Sequence, residues 1–248
     1  MTAPCPADLR CLHVDEDLLV LDKPCGLLCV PGRGEDKQDC LSARAQRAWP
    51  DALVVHRLDQ ATSGIVLMAR SAAVQRSLSH AFAQRQVHKR YQAVVHGRMA
   101  APAGGGWAQI DLPIAADWER RPLRVVDAEH GKPSLTEWRV LAAETAHADA
   151  AATLVGAVDT VDTVDAPGAA GAAKSSAVTR IELQPITGRT HQLRVHLSAV
   201  GHAILGDMLY ADAAVQALSP RLLLHATRLA FVHPRSGETV QFSSAPDF

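Results

Sequence analysis

The sequence predicts an α+β fold in which helices flank a mixed, mostly antiparallel β-sheet. Short β-branched and aliphatic runs bounded by turn residues are typical of buried strands. Such runs recur at 18–21, 53–55, 65–68, 91–95 and 179–183. Helical periodicity is rarer; Val74, Leu78 and Phe82 recur at four-residue spacing after Ser71, a favourable N-cap residue. The chain has 248 residues, of which 48% are hydrophobic and 21% charged, which suffices for a packed core.

The length suits one domain, and we expect a single catalytic domain over 1–248 that carries an insert at about 142–178. The insert is rich in alanine, has Lys174 as its sole lysine or arginine, and contains a near-repeat of Val-Asp-Thr at 158–165. Low complexity and acidic charge without aromatic residues predict a mobile segment rather than a folded module.

The charge is unevenly distributed along the chain. The net charge is −1, but the segment 56–98 contains Asp59 as its only acid. The basic residues of that segment are Arg57, Arg70, Arg76, Arg85, Lys89, Arg90 and Arg98. A local positive field attracts phosphate groups, so this segment is a candidate for contact with a polyanion.

Several classes of cofactor and location are disfavoured by the sequence. Cys25 and Cys29 lie four residues apart without a second pair, and the glycine-rich turn 31–34 lacks the Gly-Lys-Ser/Thr ending of a phosphate loop. We therefore expect no metal and no cofactor. The five cysteines all fall in the first 40 residues, which favours free thiols in a reducing cytoplasm. No apolar run reaches the ~20 residues that span a bilayer.

A polar loop at 56–64 connects two of the predicted strands and offers the chemistry of a catalytic site. It reads His-Arg-Leu-Asp-Gln-Ala-Thr-Ser-Gly. The cation Arg57 would favour the charged form of Asp59, as a carboxylate nucleophile requires. Taken alone, Asp59 and Thr62 are better explained by the ordinary role of capping a turn, and only the other motifs of the chain favour a catalytic role.

A second polar turn, Thr187 to Thr190, precedes a predicted helix. A Thr-Gly-Arg turn at a helix start presents free backbone N–H groups and the guanidinium of Arg189, which together can bind a phosphate. A capped helix with a surface arginine is an equally good interpretation. His191, His196 and His202 follow, but their spacing places no two of them on one helical face, so they do not predict a metal site.

Together these motifs resemble the RluA-type pseudouridine synthases. The matching segments are H-R-L-D-x-x-T-S-G at 56–64, K-x-Y at 89–91, T-G-R-x-H-Q-x-R-x-H at 187–196, L-L-L-H-A at 222–226 and K-P-x-G at 23–26. Their order and spacing agree with the family over nearly the whole chain. The resemblance implies the pseudouridine synthase fold with a central active-site cleft.

Further details are similar to the branch of large-subunit pseudouridine synthase A. These are L-L-x-V-P-G-R at 27–33 and P-I-x-x-D-W at 113–118. The branch implies an enzyme without an S4-type RNA-binding domain, acting on loops of large-subunit (23S) rRNA and tRNA anticodon stem-loops. It also implies a monomer in the cytoplasm, with no membrane association. The insert is longer than this branch leads us to expect.

The resemblance also implies residue roles. Asp59 would be the nucleophile when the N1–C1′ bond of uridine breaks and C5 bonds to C1′; attack at C1′, attack at C6 and abstraction of a sugar proton all remain open. The uridine must flip out of its stack. Tyr91 would stack on the uracil and assist proton removal at C5, while Arg57 would fill the vacated space. Further contacts would come from Arg189 to Asp59 or a phosphate, from Leu223 or Leu224 to the uracil, and from Arg85, Lys89 and Arg90 to the RNA backbone.

Two other functions compete with this interpretation. A non-catalytic RNA-binding protein of the same fold would be expected to lack the carboxylate, which is present at Asp59. An aspartate-dependent hydrolase or glycosylase would release free uracil, whereas an isomerase leaves the mass of the RNA unchanged. The ordered motifs favour the synthase over both.

Overall fold

The computed structural model describes residues 8–147, 155–156 and 175–248. The chain divides into two compact units. The first comprises Met1–Gln92, Gln184–His191 and Leu224–Asp247, and the second comprises Ala93–Leu183, Gln192–Leu223 and Phe248.

The described residues form short helices and many strands. In chain order these are β1 (Arg10–Val14), β2 (Leu18–Lys23), α1 (Leu41–Ala48), β3 (Leu53–Val54), β4 (Ser63–Ala69), α2 (Ala72–Ala83), β5 (His88–His96), β6 (Ala108–Asp111), β7 (Ile114–Ala116), β8 (Arg124–Val126), β9 (Leu135–His147), β10 (Val155–Gly156), β11 (Ser175–Pro185), α3 (Gln192–Ala199), α4 (Ala213–Gln216), β12 (Leu224–Val232) and β13 (Thr239–Ser243). The predicted strands and the helix after Ser71 are confirmed, and the Ser71 side chain caps α2 by accepting from the Val74 N–H.

The first unit is built on strands in the order β1-β2-β4-β12, with β3 also paired to β4 and β13 paired to β12. β2 and β4 are antiparallel from Leu18 opposite Ala69 to Lys23 opposite Gly64. β12 is parallel to β4 where Ala226 lies opposite Gly64. The sheet is therefore mixed but mostly antiparallel, as predicted.

Both faces of this sheet are covered, which explains the continuous apolar runs in β2 and β4. Successive residues of a strand point to opposite faces. Leu19, Leu21, Val66 and Met68 pack in one core cluster with α1, and the alternating Leu18, Val20, Ile65 and Leu67 pack in a second cluster with α2. All seven residues of β4 are buried, so the loop that precedes this strand is attached to a rigid support.

In the second unit, β11 lies between β5 and β9, and β9 also pairs with β6 and β10. β7 and β8 form a separate two-stranded hairpin. Helix α3 is buried from Gln192 to Leu197, including its polar side chains. Arg194 is one of these, and its Nε donates to Asp207 over 2.8 Å.

The strands extend further into the range of the predicted insert than expected. β9 continues to His147, β10 lies at 155–156 and β11 begins at Ser175, with Val155 paired to Thr145. A backbone ladder needs no large side chains, so the alanine-rich composition concealed these extensions. The rest of the range, with the Val-Asp-Thr near-repeat, lies outside the described residues.

Three further observations concern the sequence-based expectations. Cys25, Cys29 and Cys40 are free thiols, as expected, but Cys11 is disulfide-bonded, which contradicts the prediction for that residue. The apolar run 27–30 also predicts a short strand, but the segment forms only an isolated bridge between Leu28 and Cys40. Within the described parts of the chain, no helix is long and apolar enough to cross a bilayer.

Candidate active site

The Asp59 loop is held in place by a buried lysine. Lys23 ends β2 with a relative exposure of 0%. Its Nζ donates to the carbonyl oxygens of Pro24 at 2.9 Å, Leu27 at 2.7 Å and Gln60 at 3.0 Å. Three charge-assisted hydrogen bonds compensate for the desolvation of the ammonium group. They join the residue after Asp59 to the segment that follows β2.

The same two segments are joined by reciprocal hydrogen bonds. The Gly26 N–H donates to the Gln60 carbonyl at 2.9 Å, and the Gln60 side-chain Nε2 donates back to the Gly26 carbonyl at 3.0 Å. Sγ of Cys25 donates to the Ala61 carbonyl at 3.0 Å. Within the loop, the Thr62 N–H donates to the Asp59 carbonyl at 3.1 Å, which closes a turn. The backbone of Asp59 is therefore fixed from both sides.

Gly64 ends this loop in a conformation that favours glycine. Its φ is +111°, and a Cβ there would lie 2.5 Å from the backbone N of Ala226 and closer still to the Ala226 carbonyl oxygen. The parallel pairing of β4 with β12 thus requires the absence of a side chain at this position. This explains the glycine at the end of the motif.

The carboxylate of Asp59 is accessible and faces a second segment of the first unit. Its side chain is 23% exposed, and Oδ1 lies 4.0 Å from Nε2 of His191. His191 has a φ of +58° and follows the Thr-Gly-Arg turn. In that turn Thr187 is buried, whereas Gly188 and Arg189 are exposed. The loop and the turn, both predicted from the sequence, therefore meet at Asp59.

Tyr91 lies on β5 and is electrostatically coupled to Asp59. It packs against the core cluster that contains Leu58 and Ala226. Burial raises the pKa of Tyr91, and the negative charge of Asp59 raises it further. The phenol is therefore neutral at physiological pH. Its ring is half-buried against this cluster.

Burial lowers the pKa of two other polar residues of the motifs, His56 and Lys89. His56 stacks on Phe82 with ring centroids 4.6 Å apart, and its Nε2 accepts from the Leu67 N–H at 3.0 Å. Burial, aided by the charge of Lys89, lowers the pKa of His56 to about 3. Burial also lowers the pKa of Lys89. Neutral His56 is thus a structural acceptor that ties the start of the loop to β4.

A chain of buried hydrogen bonds runs beneath the other end of the loop. Ser63 Oγ lies 2.9 Å from Nδ1 of His225, and Nε2 of His225 lies 3.2 Å from Ser244 Oγ. Ser244 donates to Asp22 at 2.6 Å. The four side chains are between 4% and 8% exposed. This chain connects β4, β12 and β2 and fixes the position at which the loop enters β4.

The remaining predicted site residues differ in exposure. Arg57 and Arg85 are exposed, and Arg85 lies two residues beyond the end of α2 with a φ of +60°. Arg90 is half-buried. Leu224 is 3% exposed at the start of β12, and Leu223, which belongs to the second unit, is 2% exposed.

Two residues near Asp59 had no role predicted from the sequence: Lys23, which binds the backbone carbonyl of the next residue, and His191, which faces the carboxylate. Lys23 belongs to the K-P-x-G motif, but lysine is normally a surface residue, so composition gave no sign of its burial. His191 belongs to the T-G-R-T-H motif and was considered only as a metal ligand.

Among the described residues, one group could hold a metal, and it lies elsewhere in the first unit. Asp15, Asp17 and His233 place their ligand atoms within 4.8 Å of one another. However, Asp15 contacts His13 at 2.7 Å, and Asp17 accepts from Nη2 of Arg235 at 2.8 Å. The negative charges of the two carboxylates are thus already balanced by protein groups, as in an ordinary ion-pair cluster, so the group gives no reason to expect a metal.

Comparison with known proteins decides the family. Residues 17–199 match the model of the RNA pseudouridylate synthase family. The chain belongs to this family. As an RNA pseudouridylate synthase it is an isomerase that acts on RNA, and its mixed, mostly antiparallel sheet with few helices is the fold of that family.

Curated relatives of this pseudouridylate synthase match over almost its whole length. The dual-specificity RNA pseudouridine synthase RluA of Escherichia coli (strain K12) is 41% identical over 237 residues, which cover 96% of this chain and 93% of that protein. The protein of the same name from Pasteurella multocida (strain Pm70) is 38% identical over 247 residues, covering 100% and 97%. Both support assignment to the RluA-type synthases.

A solved structure gives the same result for the fold. Human RNA pseudouridylate synthase domain containing 1 superposes with a TM-score of 0.71 and is 27% identical, covering 97% of this pseudouridylate synthase and 84% of that chain. The predictions of an RluA-type enzyme, of an isomerase and of an RNA substrate are thereby confirmed.

Proposed function

We propose that the enzyme converts uridine to pseudouridine in loops of 23S rRNA, of tRNA anticodon stem-loops, or of both, with Asp59 as the nucleophile. The observation that carries this proposal is an accessible carboxylate on a loop fixed by Lys23, electrostatically coupled to the phenol of Tyr91. The relatives named dual-specificity RNA pseudouridine synthases support the choice of two RNA classes.

The proposed reaction is an isomerisation within one nucleotide. The N1–C1′ bond breaks, the uracil turns, C5 bonds to C1′, and the proton lost from C5 is balanced by one gained at N1. No electrons enter or leave, so the chemistry needs no redox partner. Because Asp59 is held at the end of a buried strand, the uridine must flip out of its stack to reach the carboxylate. Flipping costs less free energy for uridines in loops, because these bases are already unstacked.

In this proposal Tyr91 stacks on the flipped uracil. Its raised pKa disfavours a phenolate, so its hydroxyl would assist proton removal at C5 only by passing the proton on. The electrostatic interaction of Tyr91 with Asp59 supports a path in which the carboxylate is the final acceptor. Stacking and proton transfer are separable, because phenylalanine retains the ring without the hydroxyl.

Four other residues complete the proposed uridine site. Exposed Arg57, two positions before Asp59, would occupy the space vacated by the flipped base. Arg189, exposed on its turn, would bind Asp59 or a phosphate. Leu223 and Leu224 are proposed as apolar contacts of the uracil.

Arg85, Lys89 and Arg90 are proposed to bind the RNA backbone. Arg85 is fully available because it is exposed beyond the end of α2. Lys89 is partly buried, and burial lowers its pKa, whereas a phosphate beside it would favour the charged form. We also propose that the chain acts as a monomer in the cytoplasm without membrane association, and that 1–248 form a single catalytic domain with the insert at about 142–178.

The experiment compares Asp59→Asn with Asp36→Asn, which changes an exposed acid of the same unit. Each protein is incubated with 23S rRNA transcripts and tRNA anticodon stem-loops, and pseudouridine is mapped by chemical labelling. We expect wild type and Asp36→Asn to modify loop uridines, and Asp59→Asn to bind RNA without turnover. Retained turnover in Asp59→Asn would remove Asp59 from the mechanism. Release of free uracil would identify a glycosylase. If either 23S rRNA or the tRNA stem-loops were left unmodified, that RNA class would not be a substrate.

A further inference from the structure

An exposed tryptophan lies at the tip of the β7–β8 hairpin in the second unit. The Trp118 residue is 72% exposed, although tryptophan is usually mostly buried. The guanidinium carbon of Arg121 lies 3.9 Å from the centroid of its ring, in a cation–π contact. Because Arg121 covers only one face of the ring, the other face is available for a planar ligand.

The hairpin tip is ordered by its own polar contacts. The Asp117 carboxylate accepts from the backbone N–H of Arg120 at 3.0 Å and from its side-chain Nε at 2.8 Å. These contacts leave Trp118 facing solvent. The turn is thus held by bonds that do not involve the tryptophan ring.

The hairpin is also anchored to a neighbouring loop of the same unit. The Arg124 N–H donates to the hydroxyl oxygen of Tyr210 at 3.0 Å. The carboxylate of Asp207 accepts from the Tyr210 N–H at 3.2 Å and from buried Arg194. The same loop exposes Met208, at 71%, between these anchoring residues. A rigid base therefore supports side chains that remain open to solvent.

The charges at the tip match a polyanion. Asp117 forms an ion pair with Arg120. The other charged residues between β7 and the start of β8 are the acid Glu119 and the cations Arg121 and Arg124, so their net charge is positive. Aromatic rings beside arginines are the usual platform for unpaired bases, because every base has a face to stack and its phosphates meet the cations. An apolar protein partner would gain little from a guanidinium held over the exposed ring.

We propose that Trp118 and Arg121 form a second RNA-contact site, in which Trp118 stacks on an unpaired base of the substrate at a position other than the modified uridine. The occupant is single-stranded RNA, and the site deepens the proposed function by adding a determinant of substrate choice. The contribution is to binding, so it raises affinity without taking part in the chemical step.

The experiment measures binding in the Asp59→Asn background, so that it does not depend on turnover. The probes are a tRNA anticodon stem-loop and the same RNA with one loop nucleotide at a time made abasic. The variants are Trp118→Ala, Trp118→Phe and, as a control for an exposed apolar residue, Val232→Ala, which changes a residue that is 56% exposed on β12. Thermal unfolding checks that each variant is folded.

We expect Trp118→Ala to weaken binding about tenfold, whereas Trp118→Phe and Val232→Ala change it little. Removal of one particular loop base should weaken RNA binding to the parent protein. It should not further weaken RNA binding to Trp118→Ala, and this identifies the base that stacks on Trp118. Equal affinity of Trp118→Ala and the parent overturns the proposal, as does a loss that is the same at every abasic position. A change in self-association instead of RNA affinity would assign this face to a second copy of the chain and also overturn it.

Discussion

Nε2 of His191 lies 4.0 Å from Oδ1 of Asp59. The two residues come from segments far apart in the sequence, and each is placed by a backbone feature of its own. Asp59 is placed by the Lys23 hydrogen bonds, and His191 by a left-handed φ of +58° directly before α3. At this distance the imidazole and the carboxylate are beyond hydrogen-bonding distance but still within ion-pair range.

Tyr91 tests whether stacking and proton transfer are separate roles. We expect Tyr91→Phe to retain RNA affinity and lose most of kcat, because the ring remains while the hydroxyl is lost. Tyr91→Ala should lose both, with affinity falling by about 1–3 kcal/mol. Binding titrations and single-turnover rates on a stem-loop substrate measure the two effects. If Tyr91→Phe turned over at the wild-type rate, the hydroxyl would have no part in the reaction.

Gly64 tests the close approach of β4 to β12. We expect Gly64→Ala to reduce the free energy of unfolding by about 3 kcal/mol or more, because the new Cβ would overlap the backbone of Ala226. Gly237→Ala is the matched control: its φ is +72°, but nothing lies within 4 Å of the added Cβ. It should lose only about 1–2 kcal/mol from backbone strain. Chemical denaturation of both variants measures the difference, and equal losses would show that the overlap is relieved by a small shift.

His56 should make folding sensitive to acid. Its pKa is about 3 in the folded protein and 6.5 for the free side chain, so the unfolded chain binds the proton more readily. The stability linked to His56 is therefore fully present above pH 6.5 and is lost as the pH falls toward 3, by at most about 1.4 kcal/mol per pH unit.

The variant that isolates this effect is His56→Gln, whose side-chain oxygen can still accept from the Leu67 N–H. It loses the stacking on Phe82, so its stability at neutral pH should be lower. The expected difference is a shallower decline between pH 6.5 and 4.5 in denaturant titrations. His196, whose pKa is also lowered by burial, contributes equally to both proteins and cancels. Parallel declines would mean that His56 is protonated in the folded state.

Arg85 tests the proposed backbone contacts. Because each phosphate contact releases a counterion, Arg85→Gln should reduce the slope of log affinity against log salt by about 0.7–0.9. Arg228→Gln changes another exposed arginine of the same unit and should leave the slope unchanged. A fluorescence titration of RNA at several salt concentrations gives both slopes. An unaltered slope for Arg85→Gln would exclude it from the contact surface.

The sequence was most informative where a local pattern and a buried environment agree. β2 and β4 were predicted because both of their faces are covered, which leaves uninterrupted apolar runs. The Asp59 loop stood out as a polar segment between two such strands. The apolar pattern of β9 ends at Leu141, but the pairing of the strand continues through small and polar residues, where composition carries no signal.

What the sequence could not show depends on contacts between distant segments. Lys23 is buried because three carbonyl oxygens converge on it, and two of them belong to loops with no strand or helix pattern. Gly64 is required by a parallel neighbour, β12, that lies at the other end of the chain. The proximity of His191 to Asp59 arises in the same way. Local patterns cannot report such encounters, although the motifs had marked each of these residues.

The buried ammonium group of Lys23 has a consequence for how substrates are chosen. Because it holds the carboxylate-bearing segment stiff before any nucleic acid arrives, the protein side of the encounter has little capacity to deform. The RNA must then change shape instead, and the free energy that this requires depends on how flexible its sequence is. We therefore expect uridines in flexible RNA sequences to be modified in preference to uridines in rigid ones.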